Sequence, residues 1–245
     1  VRGVAIGVGT PKVCVPVMGT TAEEELRSAR QAVQVHPDLA EWRIDHLSSP
    51  DLPTIRPILL ALRERYFAAT PLLVTFRTRD EGGEQEISVQ DYVNLLLDVI
   101  STGLADLIDV QLFTGDAEVR RLVETAHAQG VLVVGSNHDF QKTPPEEEII
   151  ARLEKMAALG CDIPKIAVMP QNARNVLTLL SATEAFHSAH PDVPVITMSM
   201  GRLGAISRLG GELFGSAVTF GSAGQASAPG QVPVEELRSV LKLLN

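Results

Sequence analysis

The sequence predicts a single-domain α/β protein, a (β/α)8 TIM barrel over residues 1–245. Three observations carry that expectation. Short β-rich runs alternate along the whole chain with longer stretches of helical periodicity, and the connections are short. The chain has 245 residues, close to the roughly 250 of one such barrel. The first β-rich run leads into Val17-Met18-Gly19-Thr20-Thr21, which is not the Gly-rich turn that an open doubly wound sheet carries there.

The β-rich runs are Lys12–Val17, Leu39–Asp45, Leu72–Arg77, Leu107–Gln111, Val131–Ser136, Ile163–Val168, Val195–Ser199 and Ala217–Phe220. The helical stretches are Ala22–Val35, Thr54–Arg65, Ile87–Thr102, Ala117–Gln129, Glu146–Leu159, Asn172–His187, a short one at Gly201–Leu209, and Val234–Leu243. Thr143-Pro144-Pro145-Glu146 marks a helix start, with Pro in the first turn and acidic residues at the dipole-favoured end. No linker or charge block divides the chain. The most loop-like segment, Gly221–Gln231, follows the eighth strand, where a barrel holds its active site.

Hydrophobic residues make up 45% and charged residues 21%, a balance that buries a large core. Aromatics are only 4%, which leaves few faces for stacking nucleic-acid bases. Lys and Arg number 21 against 30 Asp and Glu, a net charge of −9. That field repels phosphate backbones, so no nucleic-acid partner is expected. Cys14 and Cys161 have neither disulfide-framework nor metal-type spacing and read as buried, reduced thiols. No apolar run approaches the roughly 18 residues of a membrane span. Val1-Arg2-Gly3-Val4 lacks a signal-peptide core. The expected location is the cytoplasm, with no membrane partner.

Five segments break the apolar pattern. In the second strand, Glu41, Arg43 and Asp45 alternate with Trp42 and Ile44. Residues two apart share a face, so the apolar pair faces the helices and three charges face the barrel interior. They form either a self-neutralising structural cluster or a polar active-site floor. Lys165 interrupts the apolar strand Ile163-Pro164-Lys165-Ile166-Ala167-Val168. It is either ion-paired with Glu41 or Asp45, or desolvated so that its neutral amine can attack a carbonyl and form a Schiff base.

His138 ends the fifth strand in Gly135-Ser136-Asn137-His138-Asp139. Catalytic groups of barrels lie at such strand ends, and imidazole suits proton transfer near neutral pH. Most of the other histidines (36, 46, 127, 187 and 190) read as surface residues, and none has the spacing of a zinc site. After the third strand, Arg77 through Glu81-Gly82-Gly83-Glu84 is either a solvated turn or part of the site. After the seventh, Met200-Gly201-Arg202-Leu203-Gly204 could cradle a phosphate, or Arg208 could grip a carboxylate with two parallel hydrogen bonds.

Together these segments resemble the type I 3-dehydroquinate dehydratases. The matching stretches are Glu41-Trp42-Arg43-Ile44-Asp45, Phe76-Arg77 through Glu84, Ser136 to Phe140 with Thr143-Pro144, Pro164 to Pro170, and Ser199-Met200-Gly201 through Arg208. Phe214-Gly215-Ser216, Thr219-Phe220-Gly221 and Ser227-Ala228-Pro229-Gly230-Gln231 complete the set, in family order. The resemblance implies a cofactor-free and metal-free barrel lyase of the shikimate pathway, usually a homodimer. Such an enzyme dehydrates 3-dehydroquinate to 3-dehydroshikimate by syn elimination through a lysine Schiff base.

Carried over by position, Lys165 is the Schiff-base lysine, His138 the general acid/base and Glu81 the carboxylate that orients the imidazole. From its charge alone, Glu81 is expected to favour the imidazolium. Glu41, Arg43, Arg77, Arg208, Ser227 and Gln231 match the substrate-binding set, with Arg208 on the substrate carboxylate. Pro16 departs from the pattern, since some members carry Ser there, which puts one polar contact in doubt. The Ser222–Gln231 loop is expected to close over substrate. Two other readings fit parts of the pattern: a class I Schiff-base aldolase acting on sugar phosphates, and a non-catalytic barrel that binds shikimate-type metabolites.

Overall fold

The computed structural model describes residues 1–224 and 226–244. In chain order the elements are β1 Lys12–Val17, α1 Ala22–Gln34, β2 Leu39–Arg43, α2 Leu52–Arg65, β3 Leu72–Thr75, α3 Val89–Ser101, β4 Leu107–Gln111 and α4 Asp116–Ala128. They continue with β5 Leu132–Asp139, α5 Glu146–Ala158, β6 Ile163–Val168, α6 Ala173–Ala189, β7 Ile196–Ser199, α7 Ala205–Leu209, β8 Val218–Ser222, β9 Val232–Pro233 and α8 Val234–Leu244. The sheet runs β7-β6-β5-β4-β3-β2-β1-β8-β9, and its pairings are parallel. A bridge between Val195 and Ser216, with the Ala217 N–H donating to the Val195 carbonyl at 2.8 Å, brings β7 round to β8. The architecture is the expected (β/α)8 barrel.

Capping fixes where several helices begin. Asp51 accepts from the Thr54 N–H at 2.9 Å, Ser88 from Asp91 at 3.1 Å and Asn172 from Asn175 at 3.1 Å. Strand ends differ from the sequence reading: β2 and β3 end two residues earlier and β5 runs three residues further. Ile44–His46 forms a short 3-10 turn instead of extending β2, with Asp45 buried inside it. The tiny β9, absent from the sequence reading, pairs Val232 with Gly221 and returns the long loop to the barrel wall.

The period-2 alternation sorts the core into two shells. Trp42, Ile44, Val74, Val110, Val133, Ile166 and Val168 point outward into the layer shared with the helices. Cys14, Leu39, Leu73, Leu107, Val134, Ile163 and Ile196 fill the interior, and Val1, Val4 and Ile6 pack against them. Along β2 to β6 the inward positions change from apolar to polar. The sequence runs Leu39 to Glu41 to Arg43, Leu73 to Thr75, Leu107 to Asp109 to Gln111, Val134 to Ser136 to His138, and Ile163 to Lys165. The apolar layers form the base, and the polar layers above them form a charged floor at the C-terminal ends of the strands. Both cysteines are buried thiols, as expected, and burial pushes Cys161 up to about 12.

Candidate active site

Lys165 projects from the middle of β6 and is 3% exposed. Its Nζ lies 3.5 Å from Glu41 Oε1, 3.5 Å from Asp109 Oδ2 and 4.7 Å from the centre of the Phe220 ring. Of the two carboxylates expected as partners, Glu41 is present and Asp45 is not. The turn after β2 hands Asp45 to Arg43 instead, which grips it with two parallel bonds of 2.8 and 2.7 Å. Asp45 also accepts the Arg77 backbone N–H at 3.2 Å, and Arg43 holds its carboxyl below the ordinary range despite burial. The second-strand cluster is therefore both things at once. Arg43 and Asp45 neutralise one another, while Glu41 and Arg43 also line a cavity.

That cavity is walled by Glu41, Arg43, Arg77, Glu81, Gly82, His138, Phe140, Lys165, Ala167, Met198, Met200, Phe220, Ser227, Ala228 and Gln231. The strand register explains how Lys165 and His138 meet. Ser136 pairs with Lys165 and His138 with Ala167, so the imidazole projects one inward layer above the ammonium on the adjacent strand. His138 Nδ1 lies 2.9 Å from Glu81 Oε2, which also accepts the His138 backbone N–H at 2.9 Å.

Glu81 reaches this place because of the double glycine beside it. Gly82 takes φ +84°, and a Cβ there would sit 2.2 Å from the Phe140 ring. A Cβ on Gly83 would lie 1.8 Å from the Arg77 carbonyl oxygen. The segment that read as a possible solvated turn instead folds tightly back and buries Glu81.

The electrostatics correct one expectation. Burial, followed by the cations Arg77, Lys165 and Arg43, holds His138 well below the ordinary histidine value. The neutral imidazole is thus favoured, although Glu81 alone would favour the imidazolium. Glu81 itself is pushed up to about 7, by burial first and by the Asp109 charge in addition; Arg77 and the Asn137 amide act against the rise.

Asp109 was missed in the sequence reading. It is fully buried on β4, accepting from Arg77 Nη2 at 2.7 Å and from Ser136 Oγ at 2.6 Å. The signal that flagged Lys165 was also present here: a charged residue at an inward position of Leu107-Ile108-Asp109-Val110-Gln111.

Arg208 does not line the cavity. It stands behind Met198, 3.6 Å from the Met198 sulfur, and donates to the Pro229 carbonyl at 3.2 Å. It is 2% exposed, its Nε has no hydrogen-bond partner among the described residues, and burial pushes it down to about 10. Several backbone amides near it are engaged. Gly201 donates to Pro229 O at 3.1 Å, Gly204 to Gly201 O at 3.2 Å and Ser207 to Gly204 O at 2.9 Å. That turn offers a buried guanidinium, the group that suits a carboxylate.

Ser227 and Gln231 reach the cavity from the loop after β8. The Gln231 side chain brackets Ser227, accepting its N–H at 2.9 Å and donating to its Oγ at 2.8 Å. Gln225, within the same loop, lies outside the described residues. Pro16 is buried, does not wall this cavity, and borders a separate surface cleft instead. Among the described residues, no three His, Cys, Asp or Glu side chains converge to hold a metal ion. No helix among them is long and apolar enough to cross a membrane.

A barrel with a buried lysine and a carboxylate-held histidine in one cavity at its strand ends defines a class, the (β/α)8 enzymes with an amine at the floor of the site. Comparison with known proteins narrows the class to one family. The family model for type I 3-dehydroquinase matches residues 13–245, and the chain belongs to that family. It is 51% identical over 246 residues to a 3-dehydroquinate dehydratase of Bacillus velezensis, covering 100% of this chain and 97% of that protein. It is 48% identical over 246 residues to one of Clostridioides difficile, covering 100% and 96%.

Among solved structures, the type I 3-dehydroquinate dehydratase of Clostridium difficile with covalently modified comenic acid superposes with a TM-score of 0.95 at 47% identity, covering 100% of this chain and 96% of that one. The 3-dehydroquinate dehydratase of Geobacillus kaustophilus gives 0.96 at 37% identity, covering 100% and 95%. A 3-hexulose-6-phosphate synthase, at 17% identity and a TM-score of 0.61, shares the fold alone.

Proposed function

We propose that this enzyme removes water from 3-dehydroquinate to give 3-dehydroshikimate, a step of the shikimate pathway, through an imine on Lys165. One observation carries the reading: a buried ammonium lies one layer beneath an imidazole whose Nδ1 is held by a carboxylate. Removing a proton beside a ketone leaves an unstable enolate. Lys165 gives one proton to a neighbouring carboxylate and attacks the ketone carbon as the amine; the oxygen takes that proton and one from the nitrogen, leaves as water, and a protonated imine takes the place of the ammonium between Glu41 and Asp109. The positive charge stays where those carboxylates already balance it, and the imine nitrogen serves as the electron sink.

Glu81 accepts the Nδ1 proton, so Nε2 of neutral His138 carries the free lone pair. Nε2 takes the proton next to the imine carbon, and an enamine forms. The enamine expels the β-hydroxyl, which leaves as water with the proton now on His138, consistent with elimination on one face. A second water hydrolyses the imine and returns the Lys165 amine, so one water is lost overall.

Arg208 is the cation of this group without a carboxylate partner among the described contacts, and it draws the substrate carboxylate toward the Met198–Pro229 side. Glu41, Arg43, Arg77, Ser227 and Gln231 meet the hydroxyls. The enzyme works as a cytoplasmic homodimer, which sedimentation at twice the chain mass tests. Borohydride reduction in the presence of 3-dehydroquinate tests the chemistry. Peptide mapping is expected to find the reduced adduct on Lys165; an adduct elsewhere, or none, overturns the imine.

A further inference from the structure

We propose that Asp109 is a positioning residue that takes the short contact of Arg77, keeps the Arg77–Glu81 ion pair long at 3.4 Å, and so leaves Glu81 as the carboxylate of the floor most free to exchange a proton. The proposal deepens the function above and, for its catalytic consequence, rests on that reading.

The pairing of charges is uneven. Arg43 is committed to Asp45 through two bonds. Lys165 is shared between Glu41 and Asp109 at 3.5 Å each. Arg77 could serve either Asp109 or Glu81, and the geometry commits it to Asp109. Nη2 meets Asp109 at 2.7 Å, while Nη1 donates to Ser136 at 2.9 Å and stands 3.4 Å from Glu81. Ser136 donates in turn to Asp109 at 2.6 Å, closing a ring that holds the guanidinium fork toward β4 and β5.

Three cations are thereby matched by Asp45, Asp109 and Glu41. Glu81 is the fourth carboxylate. Its short contacts are with neutral donors, the Asn137 amide at 3.2 Å and the His138 backbone N–H at 2.9 Å, and with the imidazole, while its one ion pair, to Arg77, is long at 3.4 Å. From α5, Arg152 reaches Asn137 and not Glu81. A buried carboxylate without a committed cation holds its proton to higher pH, and Glu81 is raised to about 7. It can then follow the charge on His138 through a catalytic cycle, where an arginine-bound carboxylate would stay ionised.

Asp109→Asn removes the charge and releases Arg77 to Glu81. Both effects lower the Glu81 titration. Ser136→Ala deletes the hydroxyl that restrains Nη1 and acts in the same direction, with Asp109 intact. The measurement is carboxyl 13C NMR of the ligand-free enzyme labelled at glutamate, with Glu81→Gln assigning the resonance. Asp109→Asn is expected to lower the midpoint by about 1 pH unit or more, the usual reach of a close arginine. Ser136→Ala is expected to lower it by more than about half a unit. A smaller or upward change in the variants that fold overturns the proposal, and Ser136→Ala decides alone if Asp109→Asn does not fold.

In turnover, the limb of the kcat profile governed by the Glu81–His138 pair moves with the NMR midpoint. A kcat that falls at every pH with its limb unmoved marks a merely structural role and overturns the proposal. A shifted midpoint in an enzyme that forms no Lys165 adduct overturns the functional reading and leaves the Asp109 relation standing.

Discussion

Glu25 offers a stability test that is independent of catalysis. It sits in the first turn of α1, fully buried, near the Trp42 indole and the Gly19 amide, and neither carboxylate oxygen closes a hydrogen bond among the described residues. Burial pushes it from the ordinary 4.5 up to about 8, with Trp42 and Gly19 resisting and Asp45 adding to the rise. The folded state thus holds this proton to higher pH than the unfolded chain does. The associated stability is whole below about pH 4.5 and is lost as the pH climbs toward 8.

At about 1.36 kcal/mol per pH unit, the full span is roughly 5 kcal/mol, and between pH 5 and 8.5 the loss is about 4 kcal/mol. Glu25→Gln keeps the shape and removes the titration. At about 2–4 °C per kcal/mol for a chain of this size, wild type is expected to lose roughly 8–15 °C more in Tm than the variant over that interval. The check is calorimetry of both proteins at matched ionic strength. Parallel Tm curves would show that Glu25 is not a buried neutral acid, and the reasoning from its burial would fail.

Three further outcomes follow from the site. His138→Ala is expected to slow proton removal and imine hydrolysis, so intact-protein mass spectrometry during turnover should show a substrate-sized adduct accumulating on Lys165. Arg208→Met should separate binding from stability. KM for 3-dehydroquinate rises about 100-fold as a charged hydrogen-bonding partner is lost. Chemical denaturation shows stability unchanged or raised by up to about 3 kcal/mol, because an uncompensated buried charge is gone. Gly83→Ala forces a Cβ into the Arg77 carbonyl. It should cost about 1–3 kcal/mol in urea unfolding and, by displacing Glu81, lower kcat more than it raises KM.

The alternation of strand and helix was legible along the chain, and so was the inward face of β2. Lys165 announced itself because a charge in an apolar strand needs an explanation, and His138 because it ends one. Asp109 carried the same signal and went unread, since Arg77 and Ser136, which give it meaning, come from strands on either side of it. The choice between Asp45 and Asp109 as the second partner of Lys165 was open for a related reason. A strand that turns two residues early carries its last carboxylate to a different cation.

Local pattern alone determined which residues form strands, which face each presents and which end of the barrel is polar. Period 2 and burial are properties of neighbouring residues and need no knowledge of the rest of the chain. Barrel closure decided the charge pairing. It placed Glu81 against a histidine 57 positions away, shared one lysine between β2 and β4, and left Arg208 Nε without a hydrogen-bond partner among the described residues. The protonation of these groups was beyond the sequence for the same reason. A buried charge responds to every other charge within a few ångströms in a medium that screens poorly, and only the folded barrel sets those distances.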